Sequence, residues 1–139
     1  MDYGEFAAKI KLIAIDEMRH AEKFAERIKE LGGEPVTGFQ GSVETGQSVQ
    51  DIFPFDASEE DHAIDAYNQF LLVCRDNGDS TTVKLFEGII EEEQIHYNYF
   101  DSVNGHIEKL GDTFLSKIAG TSSSTGLGPS GFAVSPDAE

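Results

Sequence analysis

Apolar residues recur along this chain at three- and four-residue steps in three long blocks, the signature of amphipathic helices rather than strands. In the first block Ile10, Ile13, Ala14, Ala21, Phe24, Ile28 and Leu31 make one stripe, which predicts a helix from about Asp2–Glu5 to Leu31. Gly32-Gly33, with Pro35 just beyond, supply the stop. In the second, Ile64, Tyr67, Leu71 and Cys74 share a face; a helix capped by Asp56 or Ser58 and ended at Asn77-Gly78 is expected. The third stripe, Phe86, Ile89, Ile90, Tyr97, Phe100, Val103, Ile107 and Leu110, predicts a helix from an Asp79 or Ser80 cap to about Leu110. The short amphipathic segment DTFLSKIAG follows Gly111.

The connections turn these helices into a bundle. The turn after Asn77 is too short for anything but an antiparallel neighbour. From Gly32 to about Asp56 the chain is rich in Gly, Thr, Ser and Gln, which reads as a long connection with little regular structure. A crossover running the length of a bundle and joining two parallel helices explains such a length. The expected fold is therefore all-α, a bundle with three long helices and a long crossover loop. Residues 1–118 form the helical domain, and the Gly/Ser-rich residues 119–139 read as a flexible tail.

Polar residues interrupt the stripes at particular places. Glu17 and His20 lie inside the first stripe, Glu93 and His96 inside the third, and Glu60 heads the second, whereas Glu59 and Asp61 point elsewhere. Three of the four histidines follow a Glu by three residues, but Glu59/His62 is off the apolar face and reads as a surface pair. Buried carboxylates and imidazoles are costly unless paired. The simplest account is that Glu and His hydrogen-bond each other across the bundle. Three carboxylates in one core would repel, however, unless cations sit between them. Two helices presenting Glu-x-x-His, with further Glu from others, make a di-iron carboxylate site. Oxygen and imidazole ligands without thiolates suit iron or manganese, with zinc as a competitor.

Bulk composition narrows the partners. With 139 residues the chain makes one domain, and its net charge of −16 argues against nucleic acid and anionic membranes. No apolar run approaches the ~20 residues of a membrane span, and the N-terminus lacks a signal-peptide pattern, so a cytoplasmic protein is expected. Cys74 is the one cysteine, which excludes an intrachain disulfide and a four-cysteine metal site; its place on the stripe predicts a buried thiol.

The runs AIDEMRHAEKFAERI and LGGEP, then EEDHAIDAYNQFLLVC, then FEGIIEEEQIHYNYFDS and EKLGDTFLSKI resemble bacterioferritin from about residue 10 to 118. The resemblance implies a ferritin-like subunit in which Glu17 and Glu93 bridge two irons. His20 would be a terminal ligand to one, and Glu60 and His96 to the other. It implies a further terminal Glu and a nearby Tyr on a preceding helix, whereas this chain starts at what resembles the second helix. Another chain filling the seam, a cut sequence and a shortened variant all remain open. The resemblance also implies that Met18 ligates a haem-type porphyrin shared between two subunits across a twofold axis; an ordinary Met in a dimer contact is the alternative.

The expected activity is oxidation of Fe(II) by dioxygen or peroxide at a buried ferroxidase site. Storage of the product would follow in a homo-oligomeric cage, of 24 or fewer subunits, built from twofold dimers. A rubrerythrin-like peroxide reductase is the enzymatic alternative. A third reading is a cargo protein whose GFAV-containing tail docks into a shell.

Overall fold

The computed structural model describes residues 2–38 and 41–123. Four helices follow in order: α1 (Gly4–Glu30), α2 (Val49–Asp76), α3 (Ser80–Leu110) and the short α4 (Asp112–Ile118). The Asp79 side chain caps α3 by accepting the Thr82 N–H at 3.0 Å, and it is tied to α1 by Arg27 Nη2 at 2.9 Å. Hydrogen bonds from Thr82, and then the Arg27 contact, hold the Asp79 pKa below the usual carboxylate range.

Aromatic contacts give the directions of the helices. Phe6 meets Phe53 and Phe114, while Phe24 meets Tyr67 and Phe86. Further along, Phe53 meets Phe100, whereas Tyr67 meets Phe86. Numbers rise together between α1 and α2 and run opposite in α3, so α1 and α2 are parallel and both antiparallel to α3. The long connection therefore crosses the bundle as expected; its described residues, 31–38 and 41–48, carry no helix or strand. No Cα atom of α1 comes within 8 Å of one in α2, although both helices pack on α3. They flank α3 and leave a groove between them, which no other described helix fills.

Two apolar layers lie along the bundle. One is built by Phe6, Phe53, Ala57, Phe100, Val103, Ile107 and Leu115. The other is the Phe24, Tyr67 and Phe86 cluster, with ring centroids 5.2–5.8 Å apart. The polar residues of the three stripes fall between these layers.

Several expectations need correction. The second helix begins at Val49, about two turns before the predicted Asp56 or Ser58 cap, and carries Pro54 inside it. An interior proline costs about 3 kcal/mol by removing one helical hydrogen bond and crowding the preceding turn. Phe53 offsets this, because it is 0% exposed and burying a Phe side chain contributes about 1.5–3 kcal/mol. Cys74 is half-buried rather than buried. Ala14, Ala21, Ile28, Leu31 and Leu110 belong to the stripes by spacing yet are exposed, since no described helix covers that side.

Beyond α4 the chain turns back over the start of α1. Gly120 N–H donates to the Asp2 carbonyl at 2.7 Å, and Glu5 N–H donates to Thr121 Oγ1 at 2.9 Å. A Cβ on Gly4 would lie 2.0 Å from the Thr121 carbonyl oxygen, so this crossing requires glycine. Residues 119–123 thus dock on the helical domain. The remainder of the tail, with GFAV, lies outside the described residues, as do residues 39 and 40.

Candidate metal centre

Glu17 and His20 stand one helical turn apart on α1, Glu93 and His96 one turn apart on α3, and Glu60 faces both from α2. The antiparallel packing of α1 on α3 brings the two pairs opposite each other. All five predicted residues meet in the layer between the aromatic clusters. His20 is 2% exposed, Glu93 1%, and Glu60 9%; Glu17 lies at the edge of the groove with its Oε1 buried. The two imidazoles are stacked, their centroids 6.0 Å apart.

The oxygens of Glu17 and Glu93 are divided between the two histidines. His96 Nδ1 lies 3.0 Å from Glu17 Oε1 and 3.2 Å from Glu93 Oε2. His20 Nδ1 lies 3.6 Å from Glu17 Oε2 and 3.0 Å from Glu93 Oε1. Each of these carboxylates therefore spans two positions. Glu60 belongs to one of them, with Oε1 3.7 Å from His96 Nδ1. Ligand atoms of Glu17, Glu60, Glu93 and His96 all fall within 4.8 Å of one another, an arrangement able to surround one ion. The position beside His20 has the two shared carboxylates and, among the described residues, no third carboxylate equivalent to Glu60.

The protonation pattern is that of a site built for added positive charge. Burial, then the Glu93 and Glu17 carboxylates, push the Glu60 pKa up to about 8. Burial alone would lower His96, but the carboxylates of Glu17, Glu93 and Asp16 overcome it and raise its pKa to about 10. Burial also penalises the Glu93 carboxylate, yet His96 and Glu60 hold its pKa below the ordinary value. Tyr67 is pushed up to about 12 by burial and then by the three site carboxylates. Protons stand in for cations here. Glu17 Oε1 is buried and faces His96 Nδ1 at 3.0 Å, but makes no hydrogen bond. A buried carboxylate oxygen left without a hydrogen bond beside shared carboxylates and imidazoles fits a first-row metal ion, with a nitrogen and oxygen donor set.

The site contains two residues that helical spacing did not single out. Glu92 Oε2 accepts a hydrogen bond from His20 Nε2 at 2.6 Å, and Asp16 Oδ2 accepts one from His96 Nε2 at 3.3 Å. Both acids sit at the exposed edge of their helices, facing a cleft of about 300 Å³ between α1 and α3 that is lined by Asp16, Glu92, Ile95, His96 and Tyr99. His62 and Glu59, by contrast, form an exposed pair 3.6 Å apart, as their phase predicted.

Known proteins are similar to this chain in sequence and fold. Residues 1–110 match the ferritin-like domain family. The chain is 61% identical to a bacterioferritin of Desulfovibrio desulfuricans over 99% of its own length and 77% of the relative's. It is 34% identical to a bacterioferritin of Mycobacterium avium, covering 78% of this chain and 69% of that one. The D. desulfuricans bacterioferritin crystal structure, described as showing its diiron site in different catalytic states, superposes with a TM-score of 0.89 at 62% identity, over 96% of this chain and 78% of that one. The Mycobacterium tuberculosis bacterioferritin BfrA superposes with a TM-score of 0.79 at 29% identity, covering 85% and 75%. A buried Glu-x-x-His pair on each of two antiparallel helices, in a chain this similar along nearly its whole length, places the protein in the bacterioferritin family of ferritin-like proteins.

Proposed function

We infer that the protein stores iron, as a bacterioferritin, and oxidises Fe(II) at the centre between α1, α2 and α3. Glu17 and Glu93 would bridge two irons, Glu60 and His96 would complete one position, and His20 would ligate the other. The observation that carries this reading is the division of the Glu17 and Glu93 oxygens between two histidines. A paired iron centre supplies stepwise electron transfer to dioxygen or peroxide. The chain contributes the rest: carboxylates that neutralise the charge, imidazoles at fixed separation, and aromatic layers that brace the three helices on either side. Substrate Fe(II) is favoured by the net charge of −16.

The reading is tested by mixing metal-free protein with Fe(II) under anaerobic conditions and then admitting dioxygen. A ferric absorbance rising much faster than in protein-free buffer, with a fast phase that saturates at two irons per chain, is expected. Oxidation no faster than in buffer would exclude a ferroxidase.

The proposal extends to a homo-oligomer. Phe70, Val73 and Ile95 are at least half exposed, as is Met18 at 62%, and apolar surface on this scale marks contact with other subunits. Twofold dimers building a cage would cover it. No helix among the described residues is long and apolar enough to cross a membrane. A cytoplasmic location fits the free Cys74, which needs no oxidising compartment.

Met18 is the candidate haem ligand. Its side chain stands on the flank of α1 beside exposed Ala14 and Ala21, so a twofold copy of α1 can bring a second thioether to the same porphyrin. A thioether is a soft axial ligand for such an iron. Protein produced with porphyrin available is expected to show a Soret band, and Met18→Leu, which retains apolar volume, to lose it. A band that survives the substitution would assign Met18 to ordinary dimer packing.

A further inference from the structure

The first turn of α1 has no cap of its own. Tyr3 stands at the N-cap position, and its side chain makes no hydrogen bond there. The first N–H groups of a helix lack intrahelical partners, and a Ser, Thr, Asp or Asn at the N-cap usually meets one of them. Here Thr121, 116 residues farther along the chain, does so: its Oγ1 accepts the Glu5 N–H at 2.9 Å, the bond that an N-cap side chain makes. The same hydroxyl donates to the Ile118 carbonyl at 2.7 Å, in the last turn of α4. A threonine hydroxyl has one hydrogen to donate and lone pairs with which to accept, so both bonds form at once. Gly120, with φ 74°, makes the reversal that brings Thr121 over α1, and its N–H is held by the Asp2 carbonyl at 2.7 Å.

Gly4 carries an independent mark of the same contact. It does not have a positive φ, so the helix itself does not require glycine, and glycine within a helix is less favourable than alanine. A side chain is excluded by the backbone passing over it: a Cβ would lie 2.0 Å from the Thr121 carbonyl oxygen and 2.6 Å from Ser122 C and Ser123 N. Two residues on, Phe6 is 5% exposed, with its ring 4.8 Å from that of Phe53 and 6.1 Å from that of Phe114 on α4. We propose that residues 119–123 are a latch: Thr121 caps α1 from the far end of the chain, and displacement of this C-terminal segment uncaps α1 and loosens Phe6 from the aromatic layer it shares with α2, α3 and α4. The latch couples the chain beyond Ser123 to the helix that carries Glu17 and His20. Openings of this local kind are ordinary for a helix end held by few contacts.

The test is amide hydrogen exchange on the full chain. Thr121→Val keeps the shape and removes the hydroxyl, and exchange at Glu5 and Phe6 is expected to quicken about five- to tenfold, the equivalent of a lost cap. Thr121→Ser keeps the hydroxyl and should stay within about twofold of native. Gly4→Ala should quicken the same amides, although alanine is the better helix former, because its methyl displaces the latch. The double variant Gly4→Ala/Thr121→Val should exchange no faster than the faster single one, since both act through one contact. Amides beside Tyr67 and Phe86, in the other aromatic layer, should keep their native rates. Native exchange in Thr121→Val would overturn the latch. So would slower exchange in Gly4→Ala, additive effects in the double variant, or a rise shared equally by the Tyr67 and Phe86 amides. If Gly4→Ala does not fold, the two Thr121 variants decide it.

Discussion

Replacing Glu93 by Gln is expected to slow Fe(II) oxidation by at least about 100-fold, equivalent to about 2.7 kcal/mol in the barrier, while leaving the helices intact. Glu93 is the most buried group of the site, and its two oxygens approach the two imidazoles at 3.0 and 3.2 Å. Gln preserves the shape but offers one acceptor oxygen and turns an NH₂ donor toward the other position. It can no longer bridge two cations, and it withdraws a negative charge from a site that must hold two of them. The measurement is stopped-flow absorbance after mixing with Fe(II) and dioxygen, with circular dichroism as the fold control. Glu59→Gln, in the exposed Glu59/His62 pair, should oxidise iron at the native rate. A native rate in Glu93→Gln would remove the bridging role, and a loss equal in both variants would point to surface charge instead.

The site is also the least self-sufficient part of the fold. Five acidic groups, Asp16, Glu17, Glu60, Glu92 and Glu93, surround two imidazoles, and the metal-free protein manages the repulsion with protons. Glu60 keeps its proton to about pH 8 and His96 to about pH 10. Metal binding must therefore release protons. Stability of the bundle comes from elsewhere, above all from the aromatic layers on either side of the charged layer.

Much of this was legible in the residues, and what was not has a physical reason. Glu17, His20, Glu60, Glu93 and His96 were recoverable because helical phase placed polar groups inside apolar stripes, where they are expensive without a purpose. The same phase failed for Asp16 and Glu92, whose edge positions look like any solvated acid; their signal was the doubled acid before each x-x-His. Phase also overstated the coverage of Ala14, Ala21, Ile28 and Leu31, since a stripe tells which face is apolar but not whether anything packs on it. The start of α2 was missed because Pro54 and its Gly-, Ser- and Thr-rich approach read as a loop. There, one long-range interaction outweighed local propensity: Phe53 reaches Phe6 on α1 and Phe100 on α3.

That interaction sets the second large effect. Phe53→Ala is expected to cost about 3–5 kcal/mol, the usual range for emptying a Phe-sized volume in a core. For a domain of this size that lowers the thermal midpoint by about 10–20 °C. Phe53 is 0% exposed, packs edge-on against Phe6 with centroids 4.8 Å apart, and lies 6.3 and 6.4 Å from the Phe100 and Tyr99 rings. These neighbours belong to two different helices, α1 and α3, so they cannot all move in to fill the space. The substitution also removes the burial that offsets Pro54, and the first two turns of α2 should fray. Phe53→Leu retains most of the volume and should lose less than half as much. Thermal melts of the metal-free proteins at one concentration measure the loss. Below its own midpoint, Phe53→Ala should still oxidise Fe(II) at close to the native rate, because Glu60 lies about two turns farther along α2 and is held by α3. A midpoint within about 3 °C of native would show that the layer around Phe53 repacks freely, and that the early start of α2 rests on something other than this side chain.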